Sequence, residues 1–436
     1  MNQRIRQLTV GLIVLFGILF VQLTNWQVVQ RDSLVNNPRN NRVTIREFDT
    51  PRGDIVTADG TVIAATVPTD AATSSSRFKF QRTYPTGQLF ANVTGYYTLG
   101  FGSTQLERTQ SDVLTGKTAQ QQLEATGGLF SKQDNAGSVH VTLRNDLQKA
   151  AKKALGNREG SVVVTDPRTG AVLAMYSNPS FDPNLFVRGI SQADYSLLTE
   201  HDHRPLANKT VQGAYPPGST FKMVTALAAL EAGVIDLDTK VRCPGYLESG
   251  SRKFHCWKKG GHGTVGLARS LAESCDVFYY EVAQKVGIDA IAEMGKRMGL
   301  GTRHELPMSA ITEGIMPDKD WKQERWGQDW RIGDTINASI GQGYVLASPL
   351  QLAVMTARVA TGRAIEPRLI KSVGAYTAPQ LSQLSPYWSL APHFGHSPLM
   401  KRSGKNMFFS GSKNCSMVLR SISVPPWSAE RSRKSR

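Results

Sequence analysis

The sequence predicts an α+β protein: a single N-terminal transmembrane helix, an extended pedestal module, and a mixed domain with an antiparallel sheet between helical clusters. Three observations carry this expectation. Leu8 to Gln30 holds no charged residue and is long enough to cross a bilayer as a helix. The segment GSVVVTDPRTGAVLAMYS (160–177) reads as two strands joined through Pro167–Gly170. Helical patterns closed by glycine lie over 145–156 and 219–233, and further amphipathic helices around 264–300 and 348–361.

The anchor is expected over residues 1–30. Arg4 and Arg6 precede the apolar run and Trp26 sits near its far end, as an interfacial residue would. Positive charge on the short leading side predicts a cytoplasmic N-terminus and a remainder on the extracytoplasmic, periplasmic side of the cell membrane. A cleaved signal peptide is the alternative, but the run is long for one and no small-x-small site follows it. Residues 31–136 read as the pedestal. REFDTPRGDIVTADGTVIAATVPT (46–69) alternates short β-type runs with turn dipeptides, and GSTQLERTQSDVLTG (102–116) reads as a turn and then a helix, with little core of its own. Residues 137–373 have the regular texture of a packed domain, beginning with the strand SVHVTL and the helix NDLQKAAKKALG.

Residues 374–436 differ. They are rich in serine and arginine and lack regular periodicity, and from Ala375 onward nine lysines and arginines face one acid, Glu430. That stretch supplies +8 of the formal +16. Text of this kind is what a shifted reading frame or a truncation would leave, and a basic tail is the alternative. The milder positive charge elsewhere suits a protein above an anionic membrane or wall polymer. Nucleic acid is not expected as a partner, because no basic residues are interleaved with stacking aromatics on a recognisable module.

Chemistry concentrates in two short segments. In YPPGSTFK, Ser219 and Lys222 stand three apart at the mouth of an apolar helix, and therefore on one face of it. A serine hydroxyl becomes a useful nucleophile when a base is close enough to take its proton, and a lysine in a covered site can be that base. The helix N-terminus offers unpaired N–H groups where an oxyanion would develop. On four letters alone, an N-cap serine and a solvated lysine are the more frequent outcome. In LAESCDVFYYEVA, Ser274 and Asp276 flank Cys275 on a turn before a further helix. Cys243, Cys256 and Cys275 cluster in sequence with His262, a complete tetrahedral Cys₃His set for zinc. A disulfide or unlinked thiols are the other readings, because the exported side can oxidise thiols. The Gly341-Gln342-Gly343 segment reads as a turn, since no Walker sequence accompanies it.

In combination these segments resemble the penicillin-recognising serine transpeptidases, whose signatures are S-x-x-K, S-x-N or S-x-D, and K-T-G. RGDIVTADGTVIA (52–64) and GSTQLE (102–107) look like the pedestal of class B penicillin-binding proteins, and GDTINASIGQGYVLASPLQLAVMTARVA (333–360) like the segment ahead of the third motif. The resemblance, of the elongation type, covers about residues 46–371. It implies a peptidoglycan D,D-transpeptidase acting in cell wall synthesis and cell shape, needing no cofactor for catalysis. Ser219 would form the acyl-enzyme with a D-alanyl-D-alanine stem peptide or a β-lactam, with Lys222 as general base. Ser274 would relay a proton to the leaving amine, and Asp276 would help to hold the peptide. The same resemblance implies a structural zinc held by Cys243, Cys256, His262 and Cys275, and a membrane glycan polymerase as partner. The third motif has no clear match. Arg402-Ser403-Gly404 is a candidate for a variant of it, with no strand-like apolar run before it, and Arg168-Thr169-Gly170 falls in the predicted hairpin turn. Two alternatives follow: a catalytically inactive scaffold of the wall-synthesis complex, or a β-lactam hydrolase or sensor using the same serine. The anchor and pedestal argue against the latter.

Overall fold

A computed structural model describes residues 3–30, 48–69, 78–98, 101–119, 121–122, 136–187, 189–373 and 376–377. Arg402-Ser403-Gly404, Cys415 and nearly all of the atypical C-terminal stretch lie outside the described residues.

The apolar run forms the helix Gln3–Thr24, which continues through a wider turn over Asn25–Val29. The span Ile5–Val29 has a mean hydropathy of 2.1, and by length and composition it can cross a membrane. None of that span is buried inside the protein.

The pedestal is built on a six-stranded mixed sheet. Its strands run in the order Tyr376–Thr377, Ile370–Val373, Val139–Val141, Ile55–Val56, Val62–Pro68, Phe80–Thr83. Val139–Val141 lies parallel to Ile55–Val56, with Ile55 opposite Val139, and antiparallel to Ile370–Val373. Residues more than 200 positions apart therefore share one sheet. The predicted hairpin is present: Gly160–Thr165 pairs with Val172–Asn178, with Val162 opposite Tyr176 and Val163 opposite Met175. Arg168-Thr169-Gly170 lies in its turn, where Gly170 N–H donates to Asp166 C=O. Helices Asn145–Leu155 and Pro349–Thr361 pack against this hairpin, so antiparallel strands do sit between helices. Among the described residues the hairpin is a two-stranded sheet.

Among the described residues, the pedestal shares its core with the following domain. Ile55, Ile63, Leu106 and Leu114 join Val139, Val163, Val172 and Leu350 in one apolar cluster. Gln148 is fully buried across this junction, donating to Leu89 C=O (3.0 Å) and Met175 C=O (2.8 Å) and accepting from Met175 N–H (2.8 Å). Such a group is stable inside only because its polar atoms are paired. Both ends of Pro349–Thr361 are legible in sequence: Ser348 and Gln351 form a capping box, Pro349 takes the first turn, and Gly362 closes the helix at φ 66°.

Beneath the pedestal sheet, Glu107 is fully buried between two guanidiniums. Arg52 Nε and Arg82 Nε each approach its carboxylate to 2.7 Å, and Tyr84 Oη donates to it at 3.1 Å. Burial alone pushes the Glu107 carboxyl up, but the charges and hydrogen bonds of Arg82 and Arg52 outweigh it and hold the group below the usual carboxylate range. Glu107→Gln leaves two buried guanidiniums uncompensated and is expected to destabilise the fold by about 3–5 kcal/mol at neutral pH. A carboxyl whose folded value is depressed stabilises fully above its unfolded value, and loses that contribution as pH falls through the folded one. The stability gap between parent and variant, measured by denaturant titration, should therefore narrow below about pH 4. Equal stability of the two proteins at pH 7 would overturn this account.

Candidate active site

The site begins with a tight turn. Pro217 and Gly218 lead into a 3₁₀ turn over Gly218–Phe221, and the α-helix proper starts at Lys222 and runs to Glu231. The sequence reading placed Ser219 at the opening of the α-helix itself; it lies one turn earlier. Gly218 adopts φ 59°, and its N–H donates to Gly341 C=O at 2.9 Å, which tightens the entry. In a 3₁₀ turn residues i and i+3 eclipse, so Ser219 and Lys222 still share a face. The helix is held on both sides: Ala226 and Ala229 pack in one apolar cluster, and Phe221, Val224 and Ala228 in another.

Lys222 is 1% exposed. Its Nζ donates to Ser274 C=O (2.8 Å) and Ser274 Oγ (3.0 Å) and pairs with Asp276 Oδ1 (2.6 Å). Ser274 Oγ in turn donates to Ser219 Oγ at 2.9 Å. The four residues expected from sequence thus meet in one network, across separations of more than 50 positions. The order of contacts differs from a simple pair. Lys222 reaches Ser219 through the Ser274 hydroxyl, and no direct Lys222–Ser219 hydrogen bond forms among the described residues. Both oxygens of Asp276 are engaged, Oδ1 by Lys222 and Oδ2 by Trp257 N–H at 2.9 Å.

Ser274 sits between the helices Leu267–Ala272 and Asp276–Val286 at φ 53°, a left-handed conformation uncommon for a side-chain-bearing residue. The following helix is anchored by a row of buried residues including Val277, Phe278, Tyr279 and Val282. Tyr279 lies with its ring 5.6 Å from Lys222 Nζ.

Cys243, Cys256, His262 and Cys275 gather on the other side of that turn. Their ligand atoms lie within 4.8 Å of one another, and all four residues are buried. Cys243 Sγ and Cys256 Sγ stand 3.6 and 3.5 Å from His262 Nδ1. Tetrahedral zinc with Zn–S of about 2.3 Å and Zn–N of about 2.0–2.1 Å has an S···N edge of about 3.6 Å, the length of these two contacts. The strands supplying them pair locally: Lys240–Cys243 lies antiparallel to Gly263–Gly266, with Cys243 opposite Gly263. The three thiols are unlinked. Burial and the neighbouring sulfurs push the Cys275 thiol up to about 12, and burial also lowers the basicity of His262.

Two residues were not assigned to this site from the sequence. Gly341 packs against the nucleophile turn at φ 69°: a Cβ there would collide with Gly218 C=O and stand 2.7 Å from Gly218 N and from Phe221 Cβ. The Gly341-Gln342-Gly343 segment is thus the turn expected, with a steric role behind Ser219. Trp257, next to Cys256, bonds to the Ser274 turn. The only sequence signal for it was an aromatic residue beside a candidate ligand.

The family profile for the penicillin binding protein transpeptidase domain matches residues 160–389, and that for the penicillin binding protein A dimerisation domain matches residues 52–139. The peptidoglycan D,D-transpeptidase MrdA of Acinetobacter baumannii is 37% identical over 319 residues, which are 67% of this chain and 48% of that protein. The peptidoglycan D,D-transpeptidase PbpA of Mycolicibacterium smegmatis is 34% identical over 400 residues, 88% of this chain and 77% of the relative. The chain spans about half the length of the MrdA proteins it matches. Among solved structures, Pseudomonas aeruginosa PBP2 in complex with WCK 5153 superposes with a TM-score of 0.67 at 33% identity, over 77% of this chain and 74% of that one. The ceftriaxone acyl-enzyme of M. tuberculosis penicillin-binding protein A gives 0.67 at 29% identity, over 76% and 74%. The Helicobacter pylori complex of PBP2 with MreC gives 0.66 at 25% identity, over 76% and 78%.

Proposed function

The chain belongs to the penicillin binding protein transpeptidase family, and from that premise we propose that it is a serine-type peptidoglycan D,D-transpeptidase of the cell wall, acylated also by β-lactams. One observation carries the reading: the continuous hydrogen-bonded run from Lys222 through Ser274 to Ser219. Ser219 Oγ attacks the carbonyl carbon of the penultimate D-alanine. Its proton leaves through the Ser274 hydroxyl toward Lys222 acting as base. The C–N bond to the terminal D-alanine then breaks, the departing amine takes a proton back along the same route, and an ester remains on Ser219. An amine from a neighbouring stem peptide attacks that ester, forming the cross-link and restoring the serine. Asp276 holds Lys222 in place and borders the peptide site.

Cys243, Cys256, His262 and Cys275 are the residues that would hold a structural zinc ion, which when bound would fix the Ser274 turn and take no part in the bond changes. The arginines ahead of the anchor helix support an orientation with the domain on the outer side of the cytoplasmic membrane. A membrane glycan polymerase is the natural partner, because a cross-linker acts on strands as they are made.

A second reading has its own support. No K-T-G or K-S-G occurs in the sequence, and the variant Arg402-Ser403-Gly404 lies outside the described residues. On that reading the chain is a scaffold that docks its partners without acylation. Incubating the membrane-inserted chain with a fluorescent penicillin, beside Ser219→Ala, separates the two. Covalent label on the parent and none on the variant is the expected result. No label on either folded protein would leave only the scaffold.

A further inference from the structure

We propose that Trp257 is a positioning residue for the nucleophile: its indole N–H, together with its backbone N–H, locks the left-handed Ser274 turn that joins Lys222 to Ser219. This rests on the transpeptidase reading above and adds to it a residue outside the three signature motifs.

The Trp257 side chain is 65% exposed, unlike a residue placed to fill a core. Its ring is nevertheless fixed. Nε1 donates to Glu273 C=O and to Ser274 C=O, both at 3.1 Å. The backbone N–H of the same residue donates to Asp276 Oδ2 at 2.9 Å. The ring meets His262 edge to face, with centroids 5.5 Å apart. One residue thus bonds three of the four positions from 273 to 276, the segment that carries Ser274.

That segment needs holding. A non-glycine residue at φ 53° is strained and persists only where its surroundings over-determine it. Ser274 C=O already accepts from Lys222 Nζ, and the Trp257 indole N–H takes its remaining capacity. If the turn relaxed toward the ordinary right-handed region, the Ser274 hydroxyl would swing out of the 3.0 and 2.9 Å contacts that link Lys222 to Ser219. A displacement of about 1 Å in a reacting group can cost on the order of 100-fold in rate. Because Cys256 precedes Trp257 and Cys275 follows Ser274, the lock also ties the cysteine–histidine cluster to the nucleophile.

Trp257→Phe keeps the ring and the backbone N–H and removes only the indole donor. In the full membrane-inserted chain, hydrogen–deuterium exchange of residues 271–278 should rise at least tenfold. Exchange over residues 240–255 should stay unchanged, and so should the zinc content. With a fluorescent penicillin, the rate constant of covalent labelling should fall at least tenfold while the dissociation constant of the initial complex moves less than about twofold. A residue with a merely structural role would reduce the labelled fraction and leave the rate constant of the folded molecules unchanged. Trp257→His, which can restore a ring N–H donor, should recover part of the rate. Unchanged exchange over 271–278 overturns the proposal whether or not the parent is labelled, as does labelling of Trp257→Phe at the parent rate. A parent that takes no label overturns the transpeptidase reading, and the exchange result still decides the lock.

Discussion

Lys222→Met is expected to slow acylation by penicillin by about 10²–10⁴-fold, the span that a positioned acid–base group usually supplies. Methionine keeps much of the side-chain volume and removes the group that meets Ser274 Oγ and Asp276. Stability falls as well. Asp276 is 8% exposed, and deleting its partner leaves a nearly buried carboxylate paired only with Trp257 N–H. Breaking such a pair from one side costs about 3–5 kcal/mol. The double variant Lys222→Met/Asp276→Asn removes both charges and should regain much of that stability while remaining slow. Stopped-flow labelling with a fluorescent β-lactam, alongside thermal melts, separates the two effects. A single variant that acylates at the parent rate would remove Lys222 from the chemistry.

On the proposed zinc reading, removing the metal should have the second largest effect. The purified chain is expected to carry about one zinc ion, and stripping it with a strong chelator should lower the melting temperature by 10 °C or more. Structural zinc contributes about 10–16 kcal/mol in small zinc-dependent peptides. For a domain of this size each kcal/mol moves Tm by about 2–4 °C, so even a modest share of that figure produces the shift. Acylation should fail at the same time, because Cys275 stands between Ser274 and Asp276. Readdition of zinc should restore both. The reading is overturned if purified protein contains no zinc by elemental analysis and melts identically with and without chelator. In this structure the three thiols are unlinked, and His262 Nδ1 stands at hydrogen-bonding range of the Cys243 and Cys256 sulfurs.

Much of the site was legible because its signals are local. Ser219 and Lys222 are three apart, and any helical turn brings them to one face. Cys243, Cys256, His262 and Cys275 declare themselves by residue type. Capping residues set the ends of Pro349–Thr361, and glycine closes Asn145–Leu155 at Gly156, φ 60°. Other features had no local signal. Trp257 and Gly341 contribute an indole donor and an absent side chain, and those properties matter only when Ser274 and Gly218 arrive opposite them. The 3₁₀ start of the nucleophile helix was equally hidden, since it depends on the Gly218–Gly341 hydrogen bond.

By itself, then, the sequence determined the elements and the chemical inventory: an apolar helix long enough for a membrane, a hairpin, helices with readable ends, and the residue types for a serine nucleophile and a metal set. These follow from periodicity and side-chain chemistry, which act over a few residues. The tertiary structure alone decided the connections. It ran Val139–Val141 between Ile55–Val56 and Ile370–Val373, so that pedestal and following domain share one core. It also routed Lys222 to Ser219 through Ser274, 52 positions away from the lysine. The physical reason is the same in both cases. Long-range contacts form where apolar surface is buried and buried polar groups find partners, and those partners are chosen by packing in three dimensions rather than by spacing along the chain.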